Sequence, residues 1–167
     1  MTLEELNTLS QPQLSEELLK CCGSSSWVKM MMTYFPADSI EDILEHAGEM
    51  WYECNTDNWK EAFAHHPKIG DAESLTKSFA STASWAMGEQ SGISIASKDT
   101  IAALAQGNKE YEEKFGYIFI VCATGKSAEE MLELLQERLN NKPEEEIKIA
   151  ANEQNKITKL RLQKLLE

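Results

Sequence analysis

Positive charge is scarce in this sequence. The chain has 16 Lys and Arg residues against 28 Asp and Glu residues, which gives a formal net charge of −12. Because proteins bind nucleic acids mainly through cationic contacts to phosphates, we expect no nucleic-acid partner. A small anionic ligand would need a local cationic pocket, since the overall field of the protein repels it.

Long apolar runs are also missing. No stretch approaches the ~18–20 apolar residues that a membrane-spanning helix needs. Residues 1–20 are acidic and amphipathic, without the basic start and apolar middle of a signal peptide. We therefore expect a cytoplasmic protein with no membrane partner. The length of 167 residues and the 42% hydrophobic content fit one packed domain over residues 1–167.

Cysteine is sparse, with four residues in the chain. Cys21 and Cys22 are adjacent, whereas Cys54 and Cys122 stand alone. This spacing matches neither a zinc site nor a disulfide framework. The sequence therefore predicts free thiols in a reducing compartment.

Helical periodicity dominates the rest of the pattern. Asp38 and Glu41 have the spacing of a capping box, and Ser127 and Glu130 have the same spacing farther along. Apolar residues then recur on one face of each following segment. We predict an all-α, single-domain helix bundle. Long helices are expected at 38–53, 97–116, 127–141 and 142–167, and shorter ones at 2–9, 11–22, 26–34, 56–64, 72–80 and 82–91.

One segment departs from the helical pattern. Residues 116–123, GYIFIVCA, form a continuous apolar run that suits a buried strand or a buried extended turn. Because no second strand is available to pair with it, we predict a buried connector between helices.

The segment HHPKIG (65–70) contains two of the three histidines. Pro67 disfavours helical geometry in the preceding residue, so the helix should end around His66. An imidazole at a helix end suits acid–base chemistry near pH 7. From the spacing alone, a C-capping histidine without chemistry is the more common case. A metal site is disfavoured, because adjacent histidines point in different directions and no His-x3-His spacing follows.

Two other places carry candidate functional groups. Glu89 follows Trp85 by four residues, so a carboxyl group and an indole can share a helix face. The alternative is that Glu89 lies at a solvated helix end closed by Gly92. In the last helix, Gln154 and Arg161 lie within an otherwise apolar stripe. An arginine there must reach solvent, pair with a buried acid, or hold an anionic ligand such as a carboxylate or ureido group.

Four ordered stretches together resemble one family. They are HPKIG (66–70), SWAMGEQSG (84–92), YEEKFGYIFIVCATGKSAEEML (111–132) and NEQNKITKLRLQKLL (152–166). Each is similar to a motif of the 2-oxo-4-hydroxy-4-carboxy-5-ureidoimidazoline (OHCU) decarboxylases of urate degradation. The resemblance covers nearly the whole chain.

The resemblance implies a function. Such a protein is a carboxy-lyase that converts OHCU to (S)-allantoin without a metal or organic cofactor, on an all-helical fold that is usually a homodimer. His66 and Glu89 would be catalytic. The substrate contacts would be Pro67, Ala86, Met87, Gly88, Glu89, Gln90, Phe119, Ile120, Val121, Cys122, Ala123 and Arg161.

Three positions depart from the family pattern. Lys68 replaces an arginine, Ala86 stands where a serine is common, and His65 adds a second imidazole before the motif. A non-catalytic helical binding or interaction module on the same scaffold is the alternative function, and a metal-dependent hydrolase is a third.

Overall fold

The computed structural model describes residues 1–66 and 98–167, and within these ranges the secondary structure is helical with no strand. Each described helix lies within one turn of its predicted bounds, which confirms the all-α fold. The predicted helices at 72–80 and 82–91 lie outside the described residues. In chain order the helices are α1 (Leu3–Thr8), α2 (Gln11–Cys21), α3 (Ser25–Met32), α4 (Ile40–Glu53), α5 (Thr56–Ala64), α6 (Lys98–Phe115), α7 (Ala128–Arg138) and α8 (Pro143–Leu165).

Side-chain caps fix where these helices begin. Ser127 Oγ accepts a hydrogen bond from the backbone N–H of Glu130 at 3.1 Å, and the Glu130 carboxylate accepts one in return, which is the predicted capping box. The predicted Asp38–Glu41 box is wrong by one residue, because Ser39 is the N-cap of α4 and accepts from Asp42 N at 3.1 Å. Aspartate and serine are both good N-cap residues, so the spacing alone does not show whether Asp38 or Ser39 caps the helix.

Spatial contacts divide the chain into two compact units. The first unit comprises Met1–His66 and Ile147–Glu167, and the second comprises Pro67–Glu146. The single domain expected over residues 1–167 stays a prediction. Within the described ranges, no helix is both long enough and apolar enough to span a membrane.

The first unit is built around buried aromatic side chains. Trp27, Trp51 and Phe63 are each at most 1% exposed. Their burial removes large apolar surfaces from water, which is the main source of stability for such a core. The indole N–H of Trp27 donates to the carbonyl of Ala47 at 3.0 Å, and that of Trp51 donates to Ala151 at 2.8 Å. Both buried donors are therefore satisfied.

Helix α3 is central to the first unit and packs against α2, α4 and α5. Just before α3 begins, the backbone at Gly23 lies close to the side chain of His65. Only glycine fits there, because a Cβ at this position would overlap the Cβ and Cγ of His65. His65 therefore packs against the α2–α3 turn, although the residue as a whole is exposed, so part of it remains in contact with water.

The described part of the second unit pairs α6 with α7. The helices meet closely at Gly107, where a Cβ would lie 2.6 Å from Cδ2 of Leu135. Helix α6 ends at the predicted Gly116, whose positive φ of 84° suits glycine. Residues 117–123 then run without helix or strand, and Ile120 in this segment is 2% exposed. The predicted buried connector is confirmed.

Candidate functional site

His66 lies just beyond the end of α5. The helix ends at Ala64, and His65 is its C-cap, so the helix stops two residues earlier than the predicted end around His66. The backbone N–H of His66 still donates to the carbonyl of Phe63 at 3.2 Å. This bond continues the turn of the chain past the end of the helix.

A buried glutamine holds that imidazole. His66 Nε2 and Gln154 Oε1 form a hydrogen bond. Gln154 is fully buried, and its Nε2 donates to Thr158 Oγ1 at 3.1 Å, one turn farther along α8. Thr158 also shares a hydrogen bond with the thiol of Cys22, which is fully buried. The sequence placed Gln154 on the right face of α8 but gave no sign of this partner.

Arg161 lies on the same side of the first unit. Its Nη1 points toward the carbonyls of Lys20 and Cys21, at 3.4 and 3.5 Å, where α2 ends. A cation there is favoured by the negative end of the helix dipole. In the described ranges 1–66 and 98–167, no carboxylate lies within salt-bridge distance of Arg161. The structural ion pair considered from the sequence is therefore not seen there.

The surroundings of His66 favour its neutral form. Burial lowers the pKa of the imidazole, and the charges of Arg161 and His65 lower the pKa further. The hydrogen bond to Gln154 acts in the opposite direction and raises it. The resulting group is a neutral imidazole near pH 7 that can accept a proton and return it.

The connector of the second unit is held by a second arginine, Arg138. Its Nη1 donates to the carbonyl of Ile120 at 2.7 Å, and its Nε lies 2.5 Å from the Glu146 carboxylate. The guanidinium also lies over the rings of Phe119 and Tyr111, at 4.5 and 5.8 Å from their centroids. Both ends of the ion pair are buried, with 7% of Arg138 and 0% of Glu146 exposed.

The sequence alone did not reveal this cluster. Arg138 lies three residues after the buried Leu135, so its helical position was the only available signal that it faces inward. Glu146 ends a run of three acids after Pro143, a pattern that is also typical of an ordinary helix start. Its carboxyl group has a raised pKa through burial, against which the Arg138 hydrogen bonds act.

The predicted site residues fall into three groups. His66 and Arg161 lie in the first unit, close enough for their charges to interact. The connector residues lie in the second unit, where Ile120 and Cys122 are buried and Ala123 is exposed. Pro67, with Ala86, Met87, Gly88, Glu89 and Gln90, lies outside the described residues.

The backbone donors of the connector have no backbone acceptor within the described ranges. Among residues 1–66 and 98–167, no carbonyl accepts a backbone hydrogen bond from the N–H groups of residues 119–123. The carbonyl of Ala123, by contrast, accepts from Lys126 N at 3.1 Å in the turn that follows. Free N–H groups in an apolar segment form strong hydrogen bonds to any anion that reaches them.

The four cysteines are free and buried. The described part of the chain gathers no group of three or more His, Cys, Asp or Glu side chains of the kind that holds a metal ion.

Comparison with known proteins gives the family. The family model for OHCU decarboxylase matches residues 7–163. A solved structure of an OHCU decarboxylase, determined in the presence of (S)-allantoin, superposes with a TM-score of 0.72. It is 39% identical, and the match covers 90% of this chain and 97% of that one.

Curated relatives agree with this match. The uric acid degradation bifunctional protein TTL of Arabidopsis thaliana is 42% identical over 154 residues, which are 90% of this chain and 46% of the relative. The OHCU decarboxylase of Amia calva is 37% identical over 78 residues, which are 47% of this chain and 45% of the relative. The matched part thus spans about half the length of these relatives. This chain belongs to the OHCU decarboxylase family.

Proposed function

We propose that this protein is a carboxy-lyase that decarboxylates OHCU to (S)-allantoin in urate degradation, without a cofactor. The observation that carries the proposal is the arrangement in the first unit, where a neutral imidazole is hydrogen bonded to a buried amide and lies near a guanidinium. That arrangement offers a proton carrier beside an anion-binding group. Membership of the OHCU decarboxylase family supports the same substrate.

The reaction needs charge stabilisation and one placed proton. When the bond between the ring carbon and the carboxylate breaks, carbon dioxide leaves and the electron pair passes into the adjacent ring system. Hydrogen-bond donors aimed at this developing charge lower the barrier. We assign this role to the backbone N–H groups of residues 119–123, because they have no backbone acceptor in the described part of the chain.

The proton is assigned to His66, with Glu89 as its partner in handling the substrate hydroxyl. The neutral imidazole takes the proton that the hydroxyl loses as it becomes a carbonyl. It then donates that proton to the carbanion-like carbon, so the imidazole ends the cycle neutral. The product anion takes one further proton from solvent, which balances the carboxylate charge lost when carbon dioxide leaves. Because the donor is fixed on one side of the substrate, it produces one enantiomer of allantoin.

Binding is assigned to residues that do not react. Arg161 and Gln90 hold the carboxylate, ureido and carbonyl groups, and Pro67 with residues 86–89 completes the contacts. Arg161 suits this role because its guanidinium presents several donors in one plane and has no acidic partner in the described ranges. Holding the substrate in one orientation brings the hydroxyl and the reacting carbon within reach of one imidazole.

The test is turnover of freshly generated OHCU, followed by circular dichroism at a wavelength where (S)-allantoin absorbs. The wild-type protein should produce optically active (S)-allantoin faster than the spontaneous decay. His66→Ala should lose both the rate and the stereochemistry, whereas His65→Ala, its neighbour, should retain them. A wild-type protein that only binds OHCU would support the non-catalytic module instead. Loss of activity in His65→Ala alone would reject the assignment of His66.

We also propose that the protein is a homodimer in the cytoplasm. The dimer rests on the family resemblance, and the location rests on the four free, buried cysteines, which suit a reducing compartment. Light scattering on a sizing column should give twice the chain mass of 18.8 kDa. A mass of one chain at micromolar concentration would reject the dimer.

A further inference from the structure

The buried amide of Gln154 has a defined orientation. Its Nε2 donates to Thr158 Oγ1 at 3.1 Å, so its Oε1 is the atom left to meet His66. Thr158 is itself 2% exposed and shares a hydrogen bond with the Cys22 thiol. The structure therefore places the amide nitrogen, a donor, on the Thr158 hydroxyl and the amide oxygen, an acceptor, on the imidazole.

An amide oxygen can only accept a hydrogen bond. The Nε2 atom of His66 must therefore carry a hydrogen whenever this bond exists, whether the ring is neutral or charged. In the neutral ring, the lone pair is then on Nδ1. The nitrogen that exchanges protons with a ligand is thereby set by a residue that need not touch the ligand.

We propose that Gln154 is a positioning residue that holds His66 in the Nε2–H tautomer and so presents Nδ1 as the nitrogen that takes and returns the substrate proton. The inference rests on the decarboxylase activity proposed above and assigns a role to a residue outside the expected set of substrate contacts. Gln154 contributes no atom to the reaction. It acts through the orientation and tautomer of His66.

The environment of His66 allows the role to be measured. The ionisable groups that interact with the imidazole in the described residues are Arg161 on α8 and His65 on its own segment. Both disfavour the imidazolium, and the Gln154 hydrogen bond favours it. Replacing Gln154 should consequently move the pKa of His66 in a direction that depends on the new side chain.

Two near-isosteric variants give opposite expectations. Gln154→Met removes the acceptor, so the pKa of His66 should fall and its ring should lose the fixed orientation. Gln154→Glu replaces the amide oxygen with a carboxylate, so the pKa of His66 should rise. Gln163→Met is the matched control, because Gln163 is exposed on the same helix.

The experiment is a pH titration of ¹⁵N-histidine-labelled protein by nuclear magnetic resonance. The chain has three histidines, so the ring signals can be assigned from single variants. At a pH above the pKa of His66, the wild-type spectrum should show Nε2 protonated and Nδ1 unprotonated. In the methionine variant kcat should fall ~10–100-fold while KM changes far less, since misplacing a reacting group costs this much. The acid limb of the kcat profile should follow the shifted pKa in each variant.

The results separate positioning from simple packing. If both variants lower the melting temperature and kcat while His66 keeps its wild-type tautomer and pKa, Gln154 is only structural and the proposal is wrong. A bare Nε2 in the wild-type protein would also overturn it. If Gln154→Met does not fold, the pKa and tautomer of His66 in Gln154→Glu decide the question, because glutamate has the same shape as glutamine.

The ring spectra need no substrate. A wild-type protein that makes no allantoin would reject the proposed activity, while the spectra would still show whether Gln154 fixes the tautomer.

Discussion

Arg138→Met is expected to destabilise the protein strongly. The substitution leaves the Glu146 carboxylate, which is 0% exposed, without the cation that lies 2.5 Å away. Removing one partner of a buried ion pair costs ~3–5 kcal/mol, because the remaining charge is neither hydrated nor neutralised. For a chain of this size, a loss of this magnitude lowers the melting temperature by roughly 6–20 °C. The bond from Arg138 Nη1 to the Ile120 carbonyl, 2.7 Å long, is lost as well.

A double variant separates stability from catalysis. In Arg138→Met with Glu146→Leu, both charges are replaced by apolar groups of similar volume, which is often neutral for a buried pair. The free energy of unfolding should return to within ~1–2 kcal/mol of wild type. In both variants the Ile120 carbonyl loses its donor, Arg138. The connector of residues 117–123 should therefore be less fixed, and kcat should be lower than that of wild type in both.

Urea unfolding followed by far-ultraviolet circular dichroism measures the first effect, and allantoin formation measures the second. Lys114→Met is the control, because Lys114 also donates to a backbone carbonyl, that of Leu139, but is exposed. This control should cost less than ~1 kcal/mol. If the double variant recovers full kcat together with stability, Arg138 does not position the connector. A loss below ~1 kcal/mol in the single variant would contradict the buried pair itself.

Three further expectations follow from the first unit. Arg161→Ala should cost less than ~1 kcal/mol of stability, because the contacts of Arg161 with backbone carbonyls are 3.4 and 3.5 Å long. It should lower kcat/KM ~10–100-fold, because a charged hydrogen bond to the substrate is lost. A large fall in melting temperature with unchanged kcat/KM would contradict this expectation. Because burial lowers the pKa of His66, its contribution to stability is complete above the ordinary histidine value of ~6.5 and is lost as the pH falls toward the folded-state pKa. The urea midpoint of His66→Leu should accordingly depend less on pH between 7.5 and 5 than that of wild type, and identical slopes would argue against the shift. Burial raises the pKa of Cys21 to about 11 and that of Cys22 to about 12. Thiol reagents at pH 7 should therefore label both cysteines only slowly until urea unfolds the protein. Rapid labelling of the folded protein would contradict this, because it requires accessible thiolates.

Local features of the fold were predictable from the sequence. The box of Ser127 and Glu130 and the bounds 56–64 depend on interactions within a few residues, which spacing alone reveals. The connector was predictable for a related reason, since an apolar run of β-branched and aromatic residues without a pairing partner suits a buried extended segment.

Pairwise partners were not predictable. An ion pair was one of three roles open to Arg161, yet within the described residues a buried ion pair is made by Arg138 with Glu146. Helical periodicity tells which face a side chain occupies but not which group meets it across the interior. The same limit applies to Gln154, whose position in the stripe of α8 was visible while its bond to His66 was not. Contacts between residues 88 positions apart are not encoded in local spacing.

The composition of the first unit has a consequence for synthesis on the ribosome. Residues 1–66 emerge first, but the indole of Trp51 finds its acceptor only at Ala151, and His66 finds Gln154 even later. All of residues 67–146 must therefore be translated before the earliest helices can complete their interior. Contacts of such long sequence separation form slowly. We expect the nascent first five helices to keep apolar surface open during translation and to depend on the arrival of α8 to close it.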